Sequence, residues 1–262
     1  MRVDWQDLPA AVHKAVEFRT GRVSSSQSVM DGLTCATASA LSTARGRVFA
    51  KGVPVGDGRG CQAQRWEAVV NPAVRTASPA LWWQVIADGW DLLVFEHVEG
   101  QHADLSRRSD RRLVAEVLRS VQQVQAPVDV PPLAERFTGV LDRGQLDLLA
   151  GSSLLHTDTN PHNVLVGADR AWLIDWAMPA AGPAWVDVAY TTVRLLEADV
   201  PDSEALAWAA QFPSWRAADP AAVGAFVTGV CAQWAARIGA SGARPSNRRF
   251  EVLLDAVTVP RS

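Results

Sequence analysis

Near residue 98 the apolar residues of this chain stop alternating and begin to recur every three to four positions. The fold must therefore join a strand-rich part to a helical one. Ahead of the change, residues 7–20 read as a short helix, with Asp7 at the cap, Pro9 in the first turn, Val12 and Val16 one turn apart and Gly21 as the stop. Small and β-branched residues fill 24–30, 33–41 and 47–53, separated by Asp31-Gly32 and Ala44-Arg45-Gly46, which predicts an antiparallel meander. Residues 62–70 read as a helix ended by Pro72, and 81–86 and 90–97 as strands joined at Asp88-Gly89.

Beyond Val98-Glu99-Gly100 a helix is predicted over about 110–125, with Leu113, Val117, Leu118 and Val121 on one face, and another over about 133–149. Residues 154–156 lead into a loop; 164–166 and 171–174 form a hairpin around Gly167-Ala168-Asp169 that delivers Asp175 at a strand end. Three helices are expected to close the chain, the clearest opening at Asp219-Pro220, burying Val223, Phe226, Val227, Val230 and Trp234, and ending at Gly239. The expected architecture is α+β and bilobal: a small antiparallel-sheet lobe over 1–98 and a larger, mainly helical lobe over 99–262, with the cleft between them as the default ligand site.

Composition narrows the function. With 262 residues and 48% apolar content the chain can bury a sizeable core. Twenty-five basic against 28 acidic residues give a net charge of −3, so no cationic field is offered to nucleic acid or to anionic lipid, and neither is expected as a partner. Asp4 and Asp7 stand where a secretory signal carries its apolar core, and no stretch reaches ~18 uninterrupted apolar residues, so a cytoplasmic setting is expected. Cys35, Cys61 and Cys231 form no C-x-x-C pair, which argues against a disulfide framework or a thiolate metal site and for a reducing compartment. Only Lys14 and Lys51 are lysines among the basic residues, and a lysine in so arginine-biased a chain asks for an explanation.

The most informative stretch is His156-Thr157-Asp158-Thr159-Asn160-Pro161-His162-Asn163, followed after the hairpin by Ile174-Asp175-Trp176. It resembles the catalytic loop and metal-binding aspartate of the aminoglycoside phosphotransferase and choline kinase group, a small-molecule branch of the protein-kinase-like fold. The resemblance runs over most of the chain, to about residue 235. Phosphoryl transfer from ATP needs a carboxylate beside the attacking hydroxyl and magnesium held by oxygen ligands. The resemblance thus implies that Asp158 takes the acceptor's proton, that Asn163 and Asp175 bind Mg2+, and that His156 braces the loop, although a satisfied core imidazole would look the same. Twelve residues after Asp175, Asp187 matches the family's aspartate that holds the loop backbone; a helix N-cap reads identically.

In the first lobe, Val48-Phe49-Ala50-Lys51 resembles the strand carrying the phosphate-contacting lysine, where a compact ammonium suits a narrow strand face; an exposed lysine on an edge strand is the bland alternative. Glu67 is its natural ion-pair partner, or else a solvent-facing helix carboxylate. The phosphate-cradling loop keeps only Gly32, and the linker at Glu96, His97 and Val98 is expected to meet adenine through its main chain. Residues 177–186 are too few for a peptide-docking platform, so the partner expected is a small hydroxylated molecule, most simply an aminoglycoside or other antibiotic, with choline, a sugar or an amino alcohol as the metabolic alternative. Trp176 is the candidate to stack on the acceptor. Asp199, Asp202, Glu204, Glu251 and Asp255 would suit a polycation, and Trp185, Trp208, Trp215 and Trp234 a quaternary ammonium. Arg107, Arg108, Arg111 and Arg112 read as a solvated helix start. Two rival classes remain: a metal-dependent hydrolase using His156, Asp158, His162 and Asp175 as ligands, and a non-catalytic nucleotide-binding module.

Overall fold

A computed structural model describes residues 2–29 and 35–258. A 3-10 turn at Trp5–Asp7 precedes α1 (Ala10–Thr20). Pro9, not Asp7, supplies the entry: having no N–H to lose, it sits just outside the helix and its carbonyl accepts from Val12 and His13. Gly21, at φ +74°, ends the helix. Val12 and Val16 bury against Leu41, Val48, Val85 and Leu92 of the sheet, fixing α1 on one face.

The sheet comprises β1 (Val23–Ser28), β2 (Thr37–Thr43), β3 (Gly46–Pro54), β4 (Leu81–Ala87) and β5 (Trp90–Glu96), in spatial order β1-β2-β3-β5-β4. The first three form the expected meander. α2 (Gly58–Val70), capped by Asp57, then carries the chain to the far edge, and the Asp88-Gly89 turn, with φ of 45° and 76°, sends β5 back between β3 and β4. Positive φ at both residues is the primed-turn geometry that matches strand twist. As a result β3 is a central strand, with Lys51 between Ala38 and Leu93, which overturns the edge-strand alternative.

The second part opens with β6 (Gln101–His102), which joins β8 (Val164–Val166) and β9 (Ala171–Leu173); β7 (Ser153–Leu155) pairs with β10 (Ala180–Gly182), a strand that sequence periodicity did not predict. α3 (Arg108–Val121) buries Leu113, Val114, Val117, Leu118 and Val121. Its arginines are not all solvated: Arg111 is only 7% exposed, donating to the carbonyls of Leu105 and Ser106 and to Glu204.

The helix expected over 133–149 does not form. A 3-10 segment at Leu133–Phe137 stops at the left-handed Gly139 (φ +83°), and the short α4 (Arg143–Asp147) starts afresh from a reciprocal capping box between Asp142 and Gln145. Five helices, not three, follow: α5 (Val186–Glu197), α6 (Asp202–Ala209), α7 (Pro213–Arg216), α8 (Pro220–Ile238) and α9 (Ala240–Thr258). Pro201, Pro213 and Pro220 stand at the starts of α6, α7 and α8, where a missing N–H costs nothing. By length and composition α8 is apolar enough to cross a membrane, but it buries Val223, Phe226, Val227 and Val230 in the core. Gly229 lets that helix approach Phe137, since a Cβ there would lie 2.6 Å from the ring. The larger core also takes in Val70 at the end of α2 and Val74 and Ala77 from the segment after it, so the helical part grips the sheet-bearing part there.

Candidate active site

The site is built on the ends of short elements. Leu155 ends β7, and the next residues, His156 to Asn163, form a tight loop that closes in a single 3-10 turn at Pro161–Asn163. From there β8 leads into β9, and the Ile174 amide donates to the Asn163 carbonyl at 2.9 Å, extending the hairpin by one pair. That bond sets Asn163 beside the residue preceding Asp175. Thr157 and Asp175 both take left-handed backbone, at φ +65° and +62°. Such backbone is costly outside glycine and persists only where neighbouring bonds hold it.

Those bonds are explicit. The Asp187 carboxylate, on the first turn of α5, accepts the amides of His156 (2.7 Å) and Thr157 (2.8 Å). It does not cap its own helix. Burial pushes its carboxyl pKa up, while His156, the two amides and Arg136 pull it back. Thr191 of α5 adds a hydroxyl bond to Thr159 at 2.7 Å. The His156 ring donates through Nε2 to the Ile174 carbonyl (2.9 Å) and accepts the Asp158 amide on Nδ1 (3.3 Å), tying the loop to the hairpin. Removing the buried carboxylate by Asp187→Ala strands two buried amides and is expected to cost about 3 kcal/mol of stability. Urea unfolding checks this; a midpoint within error of the parent would contradict it.

Asp158 faces the two asparagines. Its Oδ1 accepts from Asn160 at 2.8 Å and its Oδ2 from Asn163 at 3.0 Å, while the Asn163 amide also donates to the Asp158 carbonyl at 2.9 Å. Both hydrogens of that amide are therefore used, leaving Oδ1 as the free oxygen donor of Asn163. From the sheet, the Lys51 ammonium lies 2.5 Å from Glu67 and 2.9 Å from Asp175, a bond between residues 124 apart in sequence. Lys51 is 8% exposed. Burial alone would lower its pKa, but the carboxylates of Glu67 and Asp175 more than offset that and raise it, so the ammonium stays charged. Glu67 is buried with Lys51 and faces inward from α2, not toward solvent.

A divalent cation fits these donors. The Asp175 carboxylate and the side-chain Oδ1 of Asn163 are hard oxygen ligands of the kind magnesium takes, and they stand at adjoining positions of one hairpin. The hydrolase alternative fits poorly. Both ring nitrogens of His156 are engaged, His162 packs on His102 at 5.3 Å, and no group of three His, Cys, Asp or Glu suited to a metal occurs among the described residues.

Other expected site residues fall elsewhere. Trp176 does not reach an acceptor: it is 1% exposed, donates to the Ser78 hydroxyl at 2.7 Å, and lays its ring on His156 at 4.6 Å. The residue after a strand-end aspartate points into the core, and an indole fills it. Trp185, Trp208 and Trp215 are core residues as well, Trp234 sits under Arg237, and Glu204 is held by Arg108 and Arg111. Glu96 closes β5 and exchanges bonds with Ala80, after which His97 and Val98 lie outside any strand. Gly32 lies outside the described residues. The site also holds a residue that local sequence does not mark: Arg136, from the 3-10 segment, donates to the Thr157 hydroxyl and to the carbonyls of Met178 and Pro179. Twenty residues upstream of the loop, in a run that reads as an ordinary helix, it carries no local signal.

A two-lobed protein in which a buried sheet lysine meets a helix glutamate and a strand-end aspartate has the architecture of the kinase-like fold. Residues 145–221 match the APH model, the phosphotransferase enzyme family. The stretch that carries the loop thus matches that family's model, and the whole chain adopts the fold of the aminoglycoside phosphotransferase structures it aligns with. A thermostable mutant of aminoglycoside phosphotransferase APH(4)-Ia aligns at 13% identity over 95% of this chain and 100% of that one, with a TM-score of 0.62. A further-substituted variant of that mutant is known in ternary complex with ADP and hygromycin B, at 13% identity over 94% and 99% and a TM-score of 0.60. A choline/ethanolamine kinase family protein from Mesorhizobium loti aligns at 15% identity over 94% and 96%, with a TM-score of 0.58. Macrolide 2'-phosphotransferase MphH from Brachybacterium faecium aligns at 16% over 94% and 98%, with a TM-score of 0.53. No curated protein matches the chain in sequence.

Proposed function

We propose that this protein transfers the terminal phosphoryl group of ATP to a hydroxyl of a small acceptor, with aminoglycosides and other antibiotics as the first candidates, in the cytoplasm where ATP is supplied. The carrying observation is the Lys51–Asp175 bond of 2.9 Å, backed by Glu67, at the mouth of the loop that holds Asp158 and Asn163. In this reading 1–98 bind the nucleotide and 99–262 bind the acceptor. The main chain at Glu96, His97 and Val98 receives adenine, and Lys51 donates to phosphate oxygens, oriented by Glu67. Asn163 and Asp175 would hold magnesium, which when bound neutralises charge building on the phosphates. Asp158 orients the acceptor hydroxyl and accepts its proton as the oxygen attacks phosphorus and the bond to the ADP oxygen breaks. His156 and Asp187 keep Asp158 in place.

The ADP and hygromycin B bound to the structurally similar APH(4)-Ia mutant support a nucleotide and a hydroxylated acceptor. The test is a panel of aminoglycosides, macrolides, peptide antibiotics, choline, sugars and amino alcohols incubated with Mg-ATP and read by mass spectrometry. One acceptor class should gain a phosphate with matching ADP release. A folded protein that binds Mg-ATP and phosphorylates nothing in that panel would favour the non-catalytic module instead.

A further inference from the structure

We propose that Arg136 and Thr157 form a clamp that positions Asp158, so that Arg136 is a positioning residue for phosphoryl transfer; this rests on the function proposed above. Thr157 sits between His156 and Asp158 with φ +65°, a conformation that a β-branched residue tolerates worst and glycine accepts freely. A threonine there needs a reason beyond backbone geometry, and its hydroxyl supplies one. The Oγ1 atom accepts from Arg136 Nη1 and donates to the Met178 carbonyl, each at 2.6 Å. Arg136 Nη2 donates to that same Met178 carbonyl and, at 3.1 Å, to the Pro179 carbonyl. The planar guanidinium fork thus joins the loop before Asp158 to the segment after Asp175, a task for which its fixed pair of donors is suited and a single ammonium is not.

The clamp is anchored from outside. The Gln233 amide of α8 donates to the Arg136 carbonyl, and the Ala181 amide donates to the Pro131 carbonyl at 2.9 Å, so the 3-10 segment is held at both flanks. Asp187 grips the Thr157 amide from the opposite side at 2.8 Å. The backbone preceding Asp158 is therefore fixed from two directions, by a carboxylate on its amide and by a guanidinium on its side chain. The hydrogen bonds of the Arg136 guanidinium go to Thr157, Met178 and Pro179, next to the loop, while the Asp158 carboxylate lies close enough to feel its charge, so Arg136→Lys separates the fork from the charge.

Three variants separate positioning from plain stability: Arg136→Met removes the fork, Arg136→Lys keeps charge without it, and Thr157→Gly removes the hydroxyl while relieving the left-handed backbone. Arg136→Met and Thr157→Gly should each lower kcat about 10- to 100-fold with KM for ATP within about twofold, and the double variant should lose no more than the worse single one, because the two residues act as one unit. Arg136→Lys should recover part of kcat. In Thr157→Gly the relieved backbone offsets the lost hydroxyl bonds, so it should unfold near the parent's temperature although it is slower, a dissociation that a merely structural role does not produce. Amide hydrogen exchange at Thr157 and Asp158 should quicken in Arg136→Met, a readout that stands whether or not an acceptor has been found. Unchanged exchange overturns the clamp, as do kcat values near the parent's or multiplicative losses in the double variant. Absence of any transfer by the parent, with exchange quickened as expected, would count against the proposed reaction and not against the clamp.

Discussion

Asp158→Ala is expected to lower kcat by about 10³-fold while leaving the affinity for Mg-ATP within about threefold of the parent. The expectation follows from where the carboxylate sits. Asp158 receives amides from Asn160 and Asn163, whereas Lys51 is held by Glu67 and Asp175, so the proposed reaction assigns Asp158 to the acceptor and not to the nucleotide. Its removal frees one hydrogen of the Asn163 amide, but the other remains on the Asp158 main-chain carbonyl at 2.9 Å, and the Asn163 carbonyl still accepts the Ile174 amide. The asparagine should therefore keep its orientation. Single-turnover transfer together with a nucleotide titration decides the matter: a variant that retains parental kcat would remove Asp158 from the reaction, and one that loses Mg-ATP affinity would place it on the wrong side of the cleft.

Asp175→Ala should act on the other substrate. Mg-ATP affinity is expected to fall about 100-fold, or ~2.7 kcal/mol, with ATP affinity in excess chelator nearly unchanged. Lys51 loses one of its two carboxylate partners in this variant but keeps Glu67 at 2.5 Å, so the ammonium stays in place to meet phosphate. What disappears is the carboxylate oxygen next to Asn163. The difference between titrations with and without magnesium isolates that loss, and an Asp175→Ala protein whose affinity still rises with magnesium as the parent's does would exclude the residue as a ligand. The two variants together also test the division of labour: one should spare nucleotide binding and the other should not.

Much of this organisation could be read along the chain because it depends on near neighbours. The change of period at residue 98, the Asp88-Gly89 turn, the start of α8 at Asp219-Pro220 and the end at Gly239 are all set by residues within a turn or two of one another. So is the spacing of His156, Asp158 and Asn163, which share one loop, and the arrival of Asp175 at the end of the adjoining hairpin. The helix expected over 133–149 fails for the same kind of reason: apolar periodicity is present, but Gly139 and the Asp142–Gln145 box break it locally.

What depended on distant partners was decided only by packing. The sequence supplied one of only two lysines and the type of strand it occupies, while the insertion of β5 beside β3 made that strand central and buried its ammonium between carboxylates 16 and 124 residues away. Trp176 could stand against a ligand or in the core on local grounds alone; the Ser78 hydroxyl, 98 residues earlier, settled it for the core. Arg136 meets Thr157 because a 3-10 segment, a strand end and α8 come together around it, and no spacing along the chain encodes that meeting. Turns and caps are chosen by interactions that close short loops at little entropic cost, whereas contacts over a hundred residues form only when the whole apolar core excludes the alternatives.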